Sequence, residues 1–259
     1  MDYQHESETA LRIARRAGEL ALQYFSQKTS TDEKEDLSPV TIADRECEML
    51  VSRLLSESFP EDGVIGEEGT FKTSTSGRRW LIDPIDGTRE FVRRSPFWST
   101  MIALQVSNHV ALGIIYFPYL NEMLYAADGQ GCYWNNSRTE VSDISSLDKA
   151  ILLINGFKSV WDAWTPEPVR YLTENCWAVR SYGGCYDMLM LARGKADIWL
   201  SGSGKEWDYA PARIVAQECG AEFFTKDGTA RINANHCVIC VPGLEAILRK
   251  ILNMGSVNE

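Results

Sequence analysis

Trp80-Leu81-Ile82-Asp83-Pro84-Ile85-Asp86-Gly87-Thr88 runs from an apolar segment into two carboxylates three residues apart. Trp80-Leu81-Ile82 reads as a short buried strand. Pro84 fixes φ and lacks an N–H, so strand pairing is expected to stop there. Gly87 permits a tight backbone path and close approach by a ligand. Thr88–Arg93 has helix-forming character, which puts Gly87 and Thr88 at a helix N-terminus. Free N–H groups and the helix dipole favour an anion such as phosphate at that position. Hard divalent cations take oxygen ligands, and Mg²⁺ commonly sits between carboxylates and a substrate phosphate. The segment therefore offers metal ligands and a phosphate seat side by side. An acid-rich turn after a strand is the plainer alternative.

Three further acidic sites lie around it. Ile65-Gly66-Glu67-Glu68-Gly69 places two glutamates in a loop after a short apolar stretch. Ser38-Pro39-Val40-Thr41-Ile42-Ala43-Asp44 places an aspartate in the first turn of a helix, where Thr41 as N-cap and Asp44 at N3 also read as capping. Glu206-Trp207-Asp208 precedes another helix, with capping again the plain alternative.

Hydrophobic spacing supplies the rest of the frame. Residues 7–27 carry Leu11, Ala14, Ala17, Leu20, Ala21, Tyr24 and Phe25 at helical intervals, and a second helix runs from Thr41 to Ser58. The polar stretch from Lys28 to Ser38 reads as a mobile loop or solvated turn. Residues 99–135 read as a strand meander: Thr100–Val106, Val110–Phe117, Glu122–Ala127 and Gly131–Trp134. The second part of the chain alternates. Strands are expected at Ala150–Ile154, Cys176–Arg180, Asp197–Leu200, Ala221–Phe224 and Val238–Val241. Helices are expected at Glu167–Asn175, Tyr186–Ala192, Tyr209–Cys219 and Leu244–Leu252. The pattern is α/β with several layers, and largely antiparallel in the first half.

Composition narrows the function classes. The 259 residues are 44% hydrophobic and 24% charged, ordinary for a globular protein. The formal net charge of −10 lacks the basic footprint of a nucleic-acid binder. No apolar run is long enough to span a bilayer, and the N-terminus lacks the basic-then-apolar order of a signal peptide, so a cytoplasmic protein without membrane partners is expected. The seven cysteines are scattered through apolar contexts and read as reduced, buried thiols. Cys237-Val238-Ile239-Cys240 has no second cysteine pair and reads as a buried strand, not a zinc site. An acidic chain can still bind an anionic substrate when metals supply the positive charge.

Val40-Thr41-Ile42-Ala43-Asp44, Gly66-Glu67-Glu68, Asp83-Pro84-Ile85-Asp86-Gly87-Thr88 and Trp207-Asp208 together resemble the inositol monophosphatase superfamily. The likeness covers nearly the whole chain. It implies a layered α-β-α-β-α sandwich. It implies a single phosphatase domain over 1–259, with an N-terminal half at about 1–145 and a C-terminal α/β half at about 146–259, acting as a homodimer. It also implies Mg²⁺-dependent, often Li⁺-sensitive hydrolysis of a small phosphomonoester by metal-activated water, with about two to three Mg²⁺ per site. By the same resemblance Glu67, Asp83 and the Ile85 carbonyl hold one ion. Asp83, Asp86 and Asp208 hold a second, and Asp44 and Thr88 orient the attacking water. Phosphate is expected at Asp86, Gly87 and Thr88, and the leaving group against Gly183, Gly184 and Cys185.

Within the superfamily the chain looks most like the histidinol-phosphatase branch, through Phe91–Thr100, Tyr182-Gly183-Gly184-Cys185-Tyr186 and Glu206-Trp207-Asp208. An acidic residue tends to stand seven positions before the last aspartate in both the inositol and histidinol branches. Here that position is Ser201. Glu206 or Asp187 is expected to take over contact with a substrate amine. Arg93 and Arg94 read as surface charges or as a rim that draws in phosphorylated substrate. The substrate expected is histidinol phosphate. An inositol or broader sugar-phosphate phosphatase is the alternative, and a non-catalytic metal- and phosphate-binding protein is a third reading from another class.

Overall fold

The computed structural model describes residues 3–27, 31–33 and 39–252. Helices α1 (Gln4–Phe25) and α2 (Ile42–Ser58) flank a short antiparallel pair, β1 (Thr31–Glu33) and β2 (Pro39–Thr41). The remainder of the polar stretch 28–38 lies outside the described residues. Next in the chain come β3 (Gly63–Gly66), β4 (Phe71–Lys72), β5 (Arg78–Asp86), α3 (Thr88–Val92), β6 (Ser99–Val106), β7 (His109–Phe117), β8 (Glu122–Ala127), β9 (Gly131–Trp134) and β10 (Ser137–Arg138). Their strands form one sheet in the order β10-β9-β8-β7-β6-β5-β3-β4. The second sheet has the order β12-β11-β13-β15-β14, from β11 (Ile151–Asn155), β12 (Ala178–Arg180), β13 (Ile198–Ser201), β14 (Glu222–Phe224) and β15 (Cys237–Cys240). Between and after those strands lie α4 (Phe157–Ala163), α5 (Pro166–Asn175), α6 (Tyr186–Ala192), α7 (Glu206–Cys219) and α8 (Glu245–Ile251).

The layering follows from side-chain alternation along buried strands. On β5, Trp80 and Ile82 face α1 and α2 and pack with Ala10, Ala14, Val51 and Leu55. Leu81 faces the other way, onto Leu189 of α6 and Ile214 and Val215 of α7. On β11, Leu153 joins that same middle layer. Leu152 and Ile154 point outward, onto Val160, Val169, Leu172 and Leu248 of α4, α5 and α8. Each such aliphatic side chain contributes about 1.5–3 kcal/mol on burial. The result is the expected α-β-α-β-α sandwich, with α6 and α7 held between two sheets. Cys237 lies in the middle layer and Cys240 in the outer one, so they face opposite sides of β15 and share no metal. All seven cysteines are free.

Several expectations are corrected. Pro84 does not end β5, which continues to Asp86 through a register shift between Asp83 and Asp86. A proline without an N–H is tolerated at such a bulge. Strand β3 was too short to show a period, and it pairs parallel with β5 in an otherwise antiparallel sheet. Helix α4 is a short element with no expectation from the sequence, and Gly156 with φ 75° precedes it. Helix α7 starts three residues earlier than its apolar period indicates, so Glu206 and Asp208 belong to its first turn.

Candidate active site

The parallel pairing of β3 with β5 assembles the first part of the site. Register places Gly66 opposite Ile82, and the Glu67 N–H donates to the Ile82 carbonyl at 3.1 Å. Parallel strands end on the same side, so Glu67 emerges beside Asp83. The bulge then turns Asp83 inward, where it is 2% exposed and its Oδ1 accepts the Ile85 N–H at 3.1 Å. The Pro84 carbonyl accepts the Thr100 hydroxyl at 2.9 Å and pins the bulge to β6.

Asp44 serves two purposes, one with each oxygen. Its Oδ2 accepts the Thr41 N–H at 2.8 Å and the Thr41 hydroxyl at 2.6 Å, which completes the capping box of α2. Its Oδ1 accepts the Thr88 hydroxyl at 3.3 Å. That hydroxyl also lies 3.3 Å from the Ile85 carbonyl. One oxygen thus caps the helix while the other remains for Thr88.

Asp208 arrives on α7 from far along the chain. The helix lies close on the large sheet because β7 has Gly113 beneath it, where a Cβ would stand 2.7 Å from Pro211 Cα. Asp208 Oδ2 caps α7 by accepting the Lys205 N–H at 2.7 Å. The ligand atoms of Asp83, Asp86 and Asp208 lie within 4.8 Å of one another. Asp86 Oδ2 also accepts the Cys185 N–H at 2.7 Å, which draws the 183–185 loop to the cluster. A Cβ on Gly184, whose φ is +52°, would stand 2.7 Å from that oxygen, so the loop needs glycine there.

Burial and nearby carboxylates, Glu90 and Glu67 in the case of Asp86, push all three carboxyls up. Burial acts first on Asp83, followed by Glu67, Asp208 and Asp86, and holds it well above the ordinary carboxylate range. Asp86 is pushed up to about 6 by burial, against the opposing Cys185 N–H. Asp208 is pushed up to about 7 by burial and by Asp86, against the Lys205 N–H. Burial also raises the Cys185 thiol well above its ordinary value, which leaves it a packing group and not a nucleophile.

The cluster opens into a cleft of about 500 Å³ lined by Glu67, Asp83, Ile85, Asp86, Gly87, Thr88, Gly183, Gly184, Cys185 and Asp208, among others. Asp44 reaches it through Thr88. Glu206 does not line it, because its carboxylate takes the Arg79 guanidinium at 2.8 Å. The expected Glu206 contact with substrate is corrected accordingly. Asp187 is fully buried, with Oδ1 accepting the Tyr182 N–H at 3.1 Å. Ser201 is fully buried, and its hydroxyl bonds to that of Tyr209 at 2.9 Å. Arg94 lies over Phe25, 5.3 Å from the ring centroid, and the cations that line the cleft are Arg89 and Lys205.

Two acidic residues escaped sequence reasoning. Glu48 is 2% exposed on the buried face of α2, and its carboxylate accepts the Glu68 N–H at 2.7 Å and the Thr70 N–H at 2.8 Å. It thereby holds the loop that presents Glu67. Gly66 leaves room for it, since a Cβ there would stand 2.3 Å from the carboxylate carbon. The available signal was an acid between Cys47 and Val51 on an apolar helix face. The second is Glu90, a cleft-lining residue of α3 whose carboxyl is raised by burial, against its own backbone N–H and Arg89.

Residues 2–254 match the inositol monophosphatase family. A histidinol-phosphatase from Chlorobaculum parvum is 35% identical over 237 residues, covering 88% of this chain and 92% of its own. An inositol monophosphatase from Mesembryanthemum crystallinum is 30% identical over 230 residues, 85% of each chain. Among solved structures, the extragenic suppressor protein suhB from Bartonella henselae superposes with a TM-score of 0.89 at 22% identity, covering 98% of this chain and all (100%) of that one.

Proposed function

The chain belongs to the inositol monophosphatase family, and from that premise we propose that it hydrolyses histidinol phosphate to histidinol and phosphate, with Mg²⁺ as the metal. Metal-dependent phosphomonoester hydrolysis comes with membership. The finer reading takes the protein as one phosphatase domain, working as a cytoplasmic homodimer in histidine synthesis.

One observation carries the chemistry: Asp83, Asp86 and Asp208 bring hard oxygen donors within 4.8 Å of one another. Burial first, and neighbouring carboxylates second, hold these carboxyls up, and oxygen donors of this kind suit Mg²⁺. In this reading Glu67, Asp83 and the Ile85 carbonyl hold one ion, and Asp83, Asp86 and Asp208 hold another. Bound there, Mg²⁺ would neutralise phosphate oxygens and ease deprotonation of water.

The chain's own groups orient the reactants. Thr88 Oγ1 donates a hydrogen bond to Asp44 Oδ1, which turns its lone pairs toward the attacking water as acceptors. Asp44, 1% exposed, is held too firmly by Thr41 to swing away. The Gly87 and Thr88 backbone receives phosphate. The leaving alcohol lies against Gly183, Gly184 and Cys185, where the missing side chains permit close approach. Likeness to histidinol-phosphatases favours histidinol phosphate as the substrate, although the acids expected to meet its amine turn elsewhere.

The test is a comparison of kcat/KM for histidinol phosphate, inositol 1-phosphate and nucleoside monophosphates in Mg²⁺ buffer. Histidinol phosphate is expected to lead. Equal or better use of inositol 1-phosphate rejects the substrate while leaving the phosphatase standing. The two adjacent glutamates provide a second check. Glu67 lines the cleft, whereas the Glu68 backbone is tied to Glu48 and its side chain lines no part of the cleft. Glu67→Gln should weaken activation by Mg²⁺ more than Glu68→Gln. The reverse order in a Mg²⁺ titration would place the ligand one residue along.

A further inference from the structure

We propose that Glu90 selects a cationic leaving group, its carboxylate pairing with an ammonium carried by the alcohol from which phosphate is cleaved. This rests on reading the cleft as a phosphomonoesterase site. The acids that line the cleft are Glu67, Asp83, Asp86, Asp208 and Glu90. The first four make up the metal set of that reading, which leaves Glu90 to meet the organic part of the substrate.

Its position suits the task. A Cβ on Gly183 would stand 3.0 Å from Glu90 Oε1, and one on Gly87 would stand 3.3 Å from Oε2. The carboxylate thus sits between the backbone that receives phosphate and the loop against which the alcohol rests. Gly183 has φ +98°, a conformation open to glycine, and any side chain there would crowd Glu90. Ser201 is sealed against Tyr209, and Glu206 is committed to Arg79. Neither competes for the amine.

Among the described residues, no cationic side chain forms a salt bridge with Glu90. Arg89 and Lys205, the cleft's own cations, are exposed, and Arg89 acts on Glu90 through its nearby charge. A partly desolvated carboxylate that lines a cleft gains most from a charged donor. A neutral polyol offers only weaker hydrogen bonds. The preference for an amino alcohol then has a source in this chain, even though Ser201 is not acidic.

The experiment compares kcat/KM for histidinol phosphate with that for its analogue bearing hydrogen in place of the amino group. It uses wild type, Glu90→Gln and Glu90→Asp. Glu90→Gln should lose about tenfold or more on the amino substrate, mainly through KM, and less than about threefold on the analogue. No loss on the amino substrate overturns the assignment. If Glu90→Gln loses both together, Glu90→Asp decides. Its carboxylate is withdrawn by one methylene, so it should still lose more on the amino substrate, and an equal loss overturns the idea. Failure of wild type to release phosphate from any phosphomonoester in Mg²⁺ would instead remove the phosphatase reading, and this assignment with it.

Discussion

Asp83→Asn is expected to cut kcat by about 100-fold or more while the fold survives. Asparagine has nearly the same shape, and its amide oxygen can keep the Ile85 N–H that Asp83 accepts. What disappears is one negative charge at the point where Glu67, Asp86 and Asp208 all act on the same carboxyl. In the proposed site that charge is shared between both metal positions, so a single substitution weakens each. The same neutralisation removes repulsion within the metal-free cluster. The variant should therefore melt no lower than wild type when metal is withheld. A folded Asp83→Asn protein that keeps more than about a tenth of wild-type kcat, a barrier change of only ~1.4 kcal/mol, would sink the assignment.

Withdrawal of metal with EDTA should abolish phosphate release and leave a protein whose stability falls as pH rises. Asp86 is pushed up to about 6 and Asp208 to about 7, whereas unfolded aspartates titrate near ~3.9. Between those values the folded chain keeps protons that the unfolded chain has released. Stability then decreases with pH across that window, from about pH 4 to about pH 7. Mg²⁺ competes with those protons and favours the ionised cluster. Its effect on Tm should be small at pH 5 and reach about 5 °C or more at pH 8. The check is a pair of thermal melts at each pH, with Mg²⁺ and with EDTA. Undiminished turnover in EDTA, or an equal Mg²⁺-induced shift at both pH values, would count against a metal centre at these residues.

Sequence alone determined the local elements, because the physics that makes them is local. Apolar residues three and four apart in α1 and α2 must share a helix face, and Gly220 after Cys219 supplies the left-handed cap that stops α7. Continuous apolar runs at β6 and β7 must be buried strands. The acids were legible as candidates, singly no more than caps and turns, and their ligand roles came from the resemblance of the combined motifs. Their fate was not legible. Asp44, Glu67, Asp83 and Asp208 meet only because β3 runs parallel to β5 and Gly113 lets α7 lie low on the sheet.

The same distinction explains the corrections. Asp208 and Glu206 stand two residues apart on one helix turn, yet the first faces the cleft and the second faces Arg79 near the start of β5. Glu48 looked like one acid among several on a helix, and its worth lies in two N–H groups that a different loop brings to it. Glu90 gained its place from Gly183, far along the chain. Periodicity and capping depend on neighbours within a turn or two, so sequence can reveal them. The direction in which a carboxylate points, and the charge it finds there, depends on contacts between distant segments, and those exist only once the layers have packed.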